Sequence, residues 1–190
     1  MSRWSRRHTL HCCAGLLAAA AGCSDADRSD PPTTSGEAVD GYETHSLRSD
    51  GRIVADERDD GPNGRVTLNT LLQSPDHSLR FVAELDGIDA ARAFVDETRF
   101  GEGSVLVSQG RIGDCYRREV ASVSRSDGSF SVDFCDVVRD ASVACSEDET
   151  AVQATFVRLP FAFENGTESY SVGSGGDCRR AVRPNGGERA

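Results

Sequence analysis

The chain has 190 residues, with 21 arginines and no lysine against 31 aspartates and glutamates, for a formal charge of −10. That balance argues against a nucleic-acid binder, because phosphates need a basic patch that this sequence does not show. It reads instead as a solvating surface, since dense carboxylates keep a protein hydrated in brine, where their repulsion is screened within a few Å.

Arg6 and Arg7 stand just ahead of an apolar run from Cys12 to Ala21, which closes on Gly22-Cys23. A bilayer core of about 30 Å needs close to 20 apolar residues as a helix, so this run is too short to span. It reads as an export signal, residues 1–23, with Arg6 and Arg7 as the paired arginines and Cys23 as the lipid-attachment site. The bland alternative is cleavage at Ala19 to Ala21, leaving Cys23 near a free N-terminus. Without residues 1–23, 18 arginines face 31 acidic residues, a formal charge of −13.

Residues 24–64 read as a disordered acidic tether, with Pro31-Pro32 and small polar residues near its start and the turn cluster Gly61-Pro62-Asn63-Gly64 at its end. His45 falls within it, and His77 follows the turn residues Ser74-Pro75-Asp76, so both read as surface residues. Asp56, Glu57, Asp59 and Asp60 are close together but lack the alternating ligand spacing of a calcium loop. No metal and no other cofactor is expected.

A β-rich domain is expected over residues 65–182, with a flexible tail over 183–190. Val66, Leu68, Leu71 and Leu72, and then the stretch from Leu79 to Leu85, fit either a strand or a short helix. Ile88, Ala91, Phe94 and Val95 recur at helical spacing, with Asp89 as the N-cap. Val105-Leu106-Val107, Tyr116 to Val123, Phe130 to Phe134 and Val152 to Phe163 are β-rich runs punctuated by Gly, Asp and Ser. Together they predict a mainly β domain, an antiparallel sandwich or barrel-like fold with one or two short helices.

Asp127-Gly128 between two of these runs marks a tight hairpin. With a two-residue loop, Ala121 faces Phe134 and Val123 faces Val132; a three-residue loop with a bulge would exchange the faces. Either register sets Cys115 opposite residue 139 or 140, about 16 Å along the sheet from Cys135, whereas a disulfide tolerates about 7 Å between Cα atoms. Four cysteines in an exported domain read as two disulfides. Two pairings remain: Cys115 with Cys145 and Cys135 with Cys178, or Cys115 with Cys178 and Cys135 with Cys145. The first is preferred because it closes two loops of moderate size, each worth roughly 3 to 4 kcal/mol in the chain-entropy model.

Asn165-Gly166-Thr167 is both a turn and a glycosylation sequon, which makes Asn165 an acceptor position. Ser174 lies among glycines, but the nucleophile elbow needs Gly two residues before it, and position 172 is Val. The segment Gly173 to Gly176 reads as a flexible loop ahead of Cys178.

On its paired arginines, Cys23 and acidic bias, the chain resembles haloarchaeal-type twin-arginine lipoproteins. That resemblance implies lipid anchoring to the outer face of the cytoplasmic membrane. Phe100, Val105-Leu106-Val107, Cys115-Tyr116, Val120, Gly128, Val132 and Phe156-Val157-Arg158-Leu159-Pro160 are also similar to the C-terminal domain of PrcB-type protease-complex subunits. Such domains carry Gly-Gly-Tyr where this chain has Asp114-Cys115-Tyr116. Their likeness implies a protein partner at the cell surface and no catalysis. With the four domain cysteines read as disulfides, two histidines in a tether and a turn and no lysine, the expected function is a non-catalytic binding module, using a sheet edge or loops such as residues 110–114 and 139–150. The alternative is a hydrolase on a β scaffold with Glu119, Asp133 and Asp136 as acid and base.

Overall fold

The computed structural model describes residues 36–57, 65–126, 128–163 and 169–178. The strands are β1 (Glu37–Ala38), β2 (Glu43–Ser49), β3 (Val54–Asp56), β4 (Leu68–Leu72), β5 (Leu79–Phe81), β6 (Ser104–Gly113), β7 (Tyr116–Ser126), β8 (Ser129–Val138), β9 (Thr150–Leu159) and β10 (Ser169–Asp177). One helix, α1 (Ile88–Asp96), lies between β5 and β6. Two four-stranded sheets form, a central one ordered β2-β9-β6-β4 and an outer one ordered β1-β7-β8-β10, while β3 and β5 make a separate pair. The domain is mainly β and packs as a sandwich, not as a closed barrel.

Burial explains why β6 and β9 were the clearest apolar runs. Leu106, Val157 and Leu159 pack against Val123, Phe130, Val132 and Phe134 of the outer sheet. Val105, Val107, Val152, Ala154 and Phe156 point the other way, into a second core with Leu47, Ile53, Val54, Ala91 and Val95. A strand buried on both faces must be apolar at successive positions, so its sequence loses the alternation of a half-buried strand.

Helix α1 has only nine residues and would not persist alone. It is held by Ala91 and Val95, both essentially fully buried, and by Arg158 of β9. The Arg158 guanidinium sits 4.2 Å from the Phe94 ring centroid and donates to the Phe94 carbonyl at 2.5 Å. The helix has no basic residue of its own in its last turn, so β9 supplies the cation that its C-terminus favours. The N-cap differs from expectation. Gly87 holds that position in the left-handed region at φ 87°, and Asp89 lies in the first turn, where a carboxylate favours the helix dipole without capping.

The expected tether runs into the folded domain: β1 pairs with β7, Val39 and Tyr42 pack against the core, and residues 43–56 belong to the domain as well. All of β2 pairs with β9 from Glu43↔Arg158 to Ser49↔Val152, and Ile53 and Val54 are completely buried. The reason is physical. Within β2 only Leu47 is buried, so the strand is specified by its partner's hydrogen bonds and not by its own hydrophobicity. Residues 1–35, 58–64 and 179–190 lie outside the described residues, and with them Arg6, Arg7, Cys23, Asp59 and Asp60.

The β7–β8 hairpin forms, and Gly128 takes the positive φ of 76° that its turn requires; Asp127 lies outside the described residues. Val123 faces Val132 as expected. Ala121 does not face Phe134, because a register shift between Val120 and Ser122 gives that place to Val120. One extra residue on one strand is a bulge, and it lets both Val120 and Val123 reach the core despite their odd separation. The segment Gly173 to Gly176 is part of β10, not a loop, and β10 runs parallel to β8.

Candidate functional site

Along the sandwich interior the chemistry changes from one end to the other. At one end Phe130 packs against Phe161, Phe163 and Tyr170 with ring centroids 5.5 to 5.8 Å apart. Towards the other end the central sheet presents Ser108, Gly110, Gln153 and Thr155, and the facing outer sheet presents the register pair Arg118↔Asp136. Arg118 Nε donates to Asp136 Oδ1 at 3.2 Å. A Cβ on Gly110 would lie 3.4 Å from the Arg118 guanidinium, which places that guanidinium directly over the β6 backbone.

Gln153 bridges the sheets there. Its Oε1 accepts from Arg118 N at 2.9 Å, and its Nε2 donates to Arg118 O at 2.7 Å and Thr155 Oγ1 at 3.0 Å. A neighbouring glutamine does the same on the opposite face: Gln109 accepts from Ile53 N and Val54 N and donates to Val54 O and Val66 O. Each bond satisfies a group that would otherwise be costly to bury.

Two clefts flank the polar end. The larger, about 620 Å³, lies between β2 and β7 and is lined by Arg48, Arg117, Arg118 and Arg139 together with Glu119 and Asp140. The second, about 560 Å³, lies beside β6 and β8; Arg118 lines it as well, with Asn69, Ser108 and Ser174. The larger cleft opens where two sheet edges come close. Pairing from β1 reaches only Ser124 and Arg125 of β7, so among the described residues no strand pairs with 116–122 on that side, where Arg48 and Gln153 take up the Tyr116 and Arg118 backbone groups.

Asp114, at the β6–β7 turn, ties the cleft's wall together. Its Oδ1 accepts from Arg48 at 3.0 Å and from Arg139 at 3.3 Å, and its Oδ2 accepts from Ser146 N at 3.1 Å. Arg48 also donates to the carbonyls of Asp114 and Tyr116. The Arg48 hydrogen bond first, and the Ser146 N–H second, hold the Asp114 carboxyl below its usual range. The adjacent Asp140 is lowered too, chiefly by the Ser142 side chain and backbone N–H, with the Arg117 charge contributing.

The disulfides Cys115–Cys145 and Cys135–Cys178 are present, with Cα atoms 5.1 and 5.0 Å apart. The first, together with Asp114, brings the expected loop segments 110–114 and 139–150 into contact. Arg139 N donates to Cys115 O at 2.9 Å, which fixes residue 139 opposite Cys115, one of the two positions expected from the hairpin.

Asp136 is separated from the other two hydrolase candidates, Glu119 and Asp133, which share the opposite face of the outer sheet and are engaged by different partners. Asp136 faces the interior with Phe134 and Val132, whereas Asp133, an odd number of positions away, faces the other side and accepts from Ser122 Oγ at 3.1 Å. Glu119, opposite Cys135, is taken up by Arg117 at 2.6 Å. His45 lies on β2 near the rings of Phe94 and Phe156, and His77 near Phe100. Asn165 lies outside the described residues, and Asp56 ends β3. The gathering of Arg48, Arg117, Arg118 and Arg139 at one cleft is a feature of the fold that no motif in the sequence marks. Arg117 and Arg118 are neighbours in the chain, but only the fold shows that Arg48 and Arg139 join them. Comparison with protein-family models, with curated proteins and with solved structures gives no match.

Proposed function

We propose that this protein is a lipid-anchored, extracytoplasmic binding module, held by Cys23 on the outer face of the cytoplasmic membrane after twin-arginine export, with a protein as its partner. The observation that carries the reading is the polar end of the sandwich. It is open, disulfide-stapled and lined by arginines, while the acidic side chains around it are already engaged as acceptors or face away from one another. A general acid and base would have to share one reacting centre within hydrogen-bond reach. A binding surface needs only a rigid rim and groups able to meet a ligand.

Two arms test this. Full-length protein and its Cys23→Ser variant are fractionated in high salt, and the anchored form is then crosslinked on native membranes. The wild type is expected in the membrane fraction with a reproducible crosslinked partner, and the variant in the medium. A variant as membrane-bound as the wild type removes the anchor from the reading. In the second arm, hydrolase substrates are screened in molar salt against wild type and against Glu119, Asp133 and Asp136 changed singly to Ala. Turnover that vanishes with one of these changes, the fold being intact, would replace the module with an enzyme.

A further inference from the structure

The larger cleft is bordered by two strand edges that differ in kind. The β7 edge is interrupted by the bulge at Ala121, a device that commonly protects an edge from pairing with another chain. The β2 edge has no such protection. Its register with β9 runs without a shift over all seven residues, it contains no proline, and among the described residues no strand pairs with its other side. Thr44, Ser46 and Arg48, at alternate positions of β2, all line the cleft. A strand added to β2 would therefore place every second side chain on the cleft side.

That side carries cations. Arg48, Arg117, Arg118 and Arg139 line the cleft of a protein whose formal charge is −10. Arg48 and Arg139 share the single Asp114 carboxylate, while Arg117 and Arg118 each have one partner, Glu119 and Asp136. Of the acids, only Glu119 and Asp140 line the cleft itself, and Asp140 accepts from Ser142 N; Asp114 and Asp136 meet their arginines from outside the lining. The side chains of Arg48, Arg118 and Arg139 are only 19 to 23% exposed, and salt screens such sheltered charges less than open ones. Tyr116, Val138 and Val143, in and around the same loops, are exposed apolar groups that could receive uncharged side chains between the acids.

We infer that the cleft binds an extended acidic peptide segment of a partner protein, added as a fifth strand along β2 with carboxylates at alternate positions facing the arginines. The inference rests on the binding-module reading above and names the chemistry of its partner. Seven residues of β2 span about 23 Å, so the recognised segment has about seven residues.

The probe is a fluorescein-labelled decapeptide of alternating glutamate and valine, titrated by anisotropy against detergent-solubilised full-length protein. Its comparators are the glutamine–valine analogue, two analogues N-methylated at alternate backbone positions in either phase, and free glutamate as competitor. The acidic peptide is expected to bind and remain uncleaved, and the glutamine analogue to bind at least about tenfold more weakly. One N-methylated phase should lose about tenfold or more while the other binds like the parent, because only alternate N–H groups of an added strand face β2. Arg117→Gln, which alters only a half-exposed pair, should weaken binding about three- to tenfold at an unchanged melting temperature.

No binding of the acidic peptide, equal binding of the glutamine analogue, or indifference to both methylation phases would overturn the inference. Complete displacement by free glutamate at equal carboxylate concentration would also overturn it, in favour of a small-anion site. Loss of peptide binding while a membrane partner still crosslinks elsewhere would remove this inference alone. Cleavage of the peptide would remove the non-catalytic reading beneath it.

Discussion

The two ends of the sandwich interior solve the same problem by opposite means. At the aromatic end Phe130, Phe161, Phe163 and Tyr170 bury surface against one another, and Arg125 lies 4.4 Å above the Phe161 ring. Such contacts are non-directional in the main, so the end closes by collapse. At the polar end every buried group needs a specific acceptor or donor, which Gln153, Asp136 and Asp114 provide. What burial does not hold there, covalent bonds do. On the proposed reading, the packing that consolidates the sandwich lies at one end of its interior and the arginine-lined cleft at the other.

Emptying the aromatic end should have the largest effect. Phe130 is 2% exposed and contacts three other rings, so Phe130→Ala should cost about 3 to 5 kcal/mol with both disulfides intact, read from urea denaturation. A cost below about 1 kcal/mol would mean that the end is not a consolidated core. The corresponding change at the other end is Cys115→Ser with Cys145→Ser. It opens a loop with sequence separation 30 and should cost about 3.5 kcal/mol, by the same measurement. Hydrogen exchange sharpens the contrast: the amides of residues 139–149 should lose protection while those of 130–134 keep theirs. Equal loss in both would show that the ends are one cooperative unit.

Sequence alone reached the parts of this fold that are locally encoded. The hairpin was visible because Asp127-Gly128 interrupts two alternating runs, and its register was enough to rule out Cys115 with Cys135. The bulge at Ala121 was not visible, since nothing in Val120-Ala121-Ser122-Val123 marks which residue is extra. That shift arises from the need to bury both valines. The pairing of β10 with β8 in parallel was hidden for a related reason: the chain leaves the central sheet after β9 and enters the outer one, and a turn sequence does not say which sheet the next strand joins. β2 resembles polar linker in sequence because an edge strand with one buried side chain carries little apolar signal. The site followed the same pattern. Opposed faces for Asp133 and Asp136 follow from their odd spacing, but an arginine cleft drawn from β2, β7 and the loop after β8 exists only once the sheets are stacked.

The smallest expected effect concerns the link between the ends of that cleft wall. Asp114 accepts from Arg48, Arg139 and Ser146 N, and these contacts hold its carboxyl below the ordinary value of 3.8, the Arg48 hydrogen bond contributing most. A depressed folded-state pKa means that the ionised form stabilises the native state. This contribution is complete above the unfolded value and disappears as pH falls below it and through the lower folded value. Asp114→Asn removes the charge and leaves the side chain as an acceptor on one atom only, so an amide N–H is set against Ser146 N–H. The variant should melt a few degrees below the wild type at neutral pH, and the difference should shrink as acid protonates the wild-type carboxyl. Thermal melts of both proteins across the acid range decide the matter. A difference that stayed constant down to the lowest pH would assign the effect to lost shape at the turn, and would leave the aromatic and polar ends differing in packing alone.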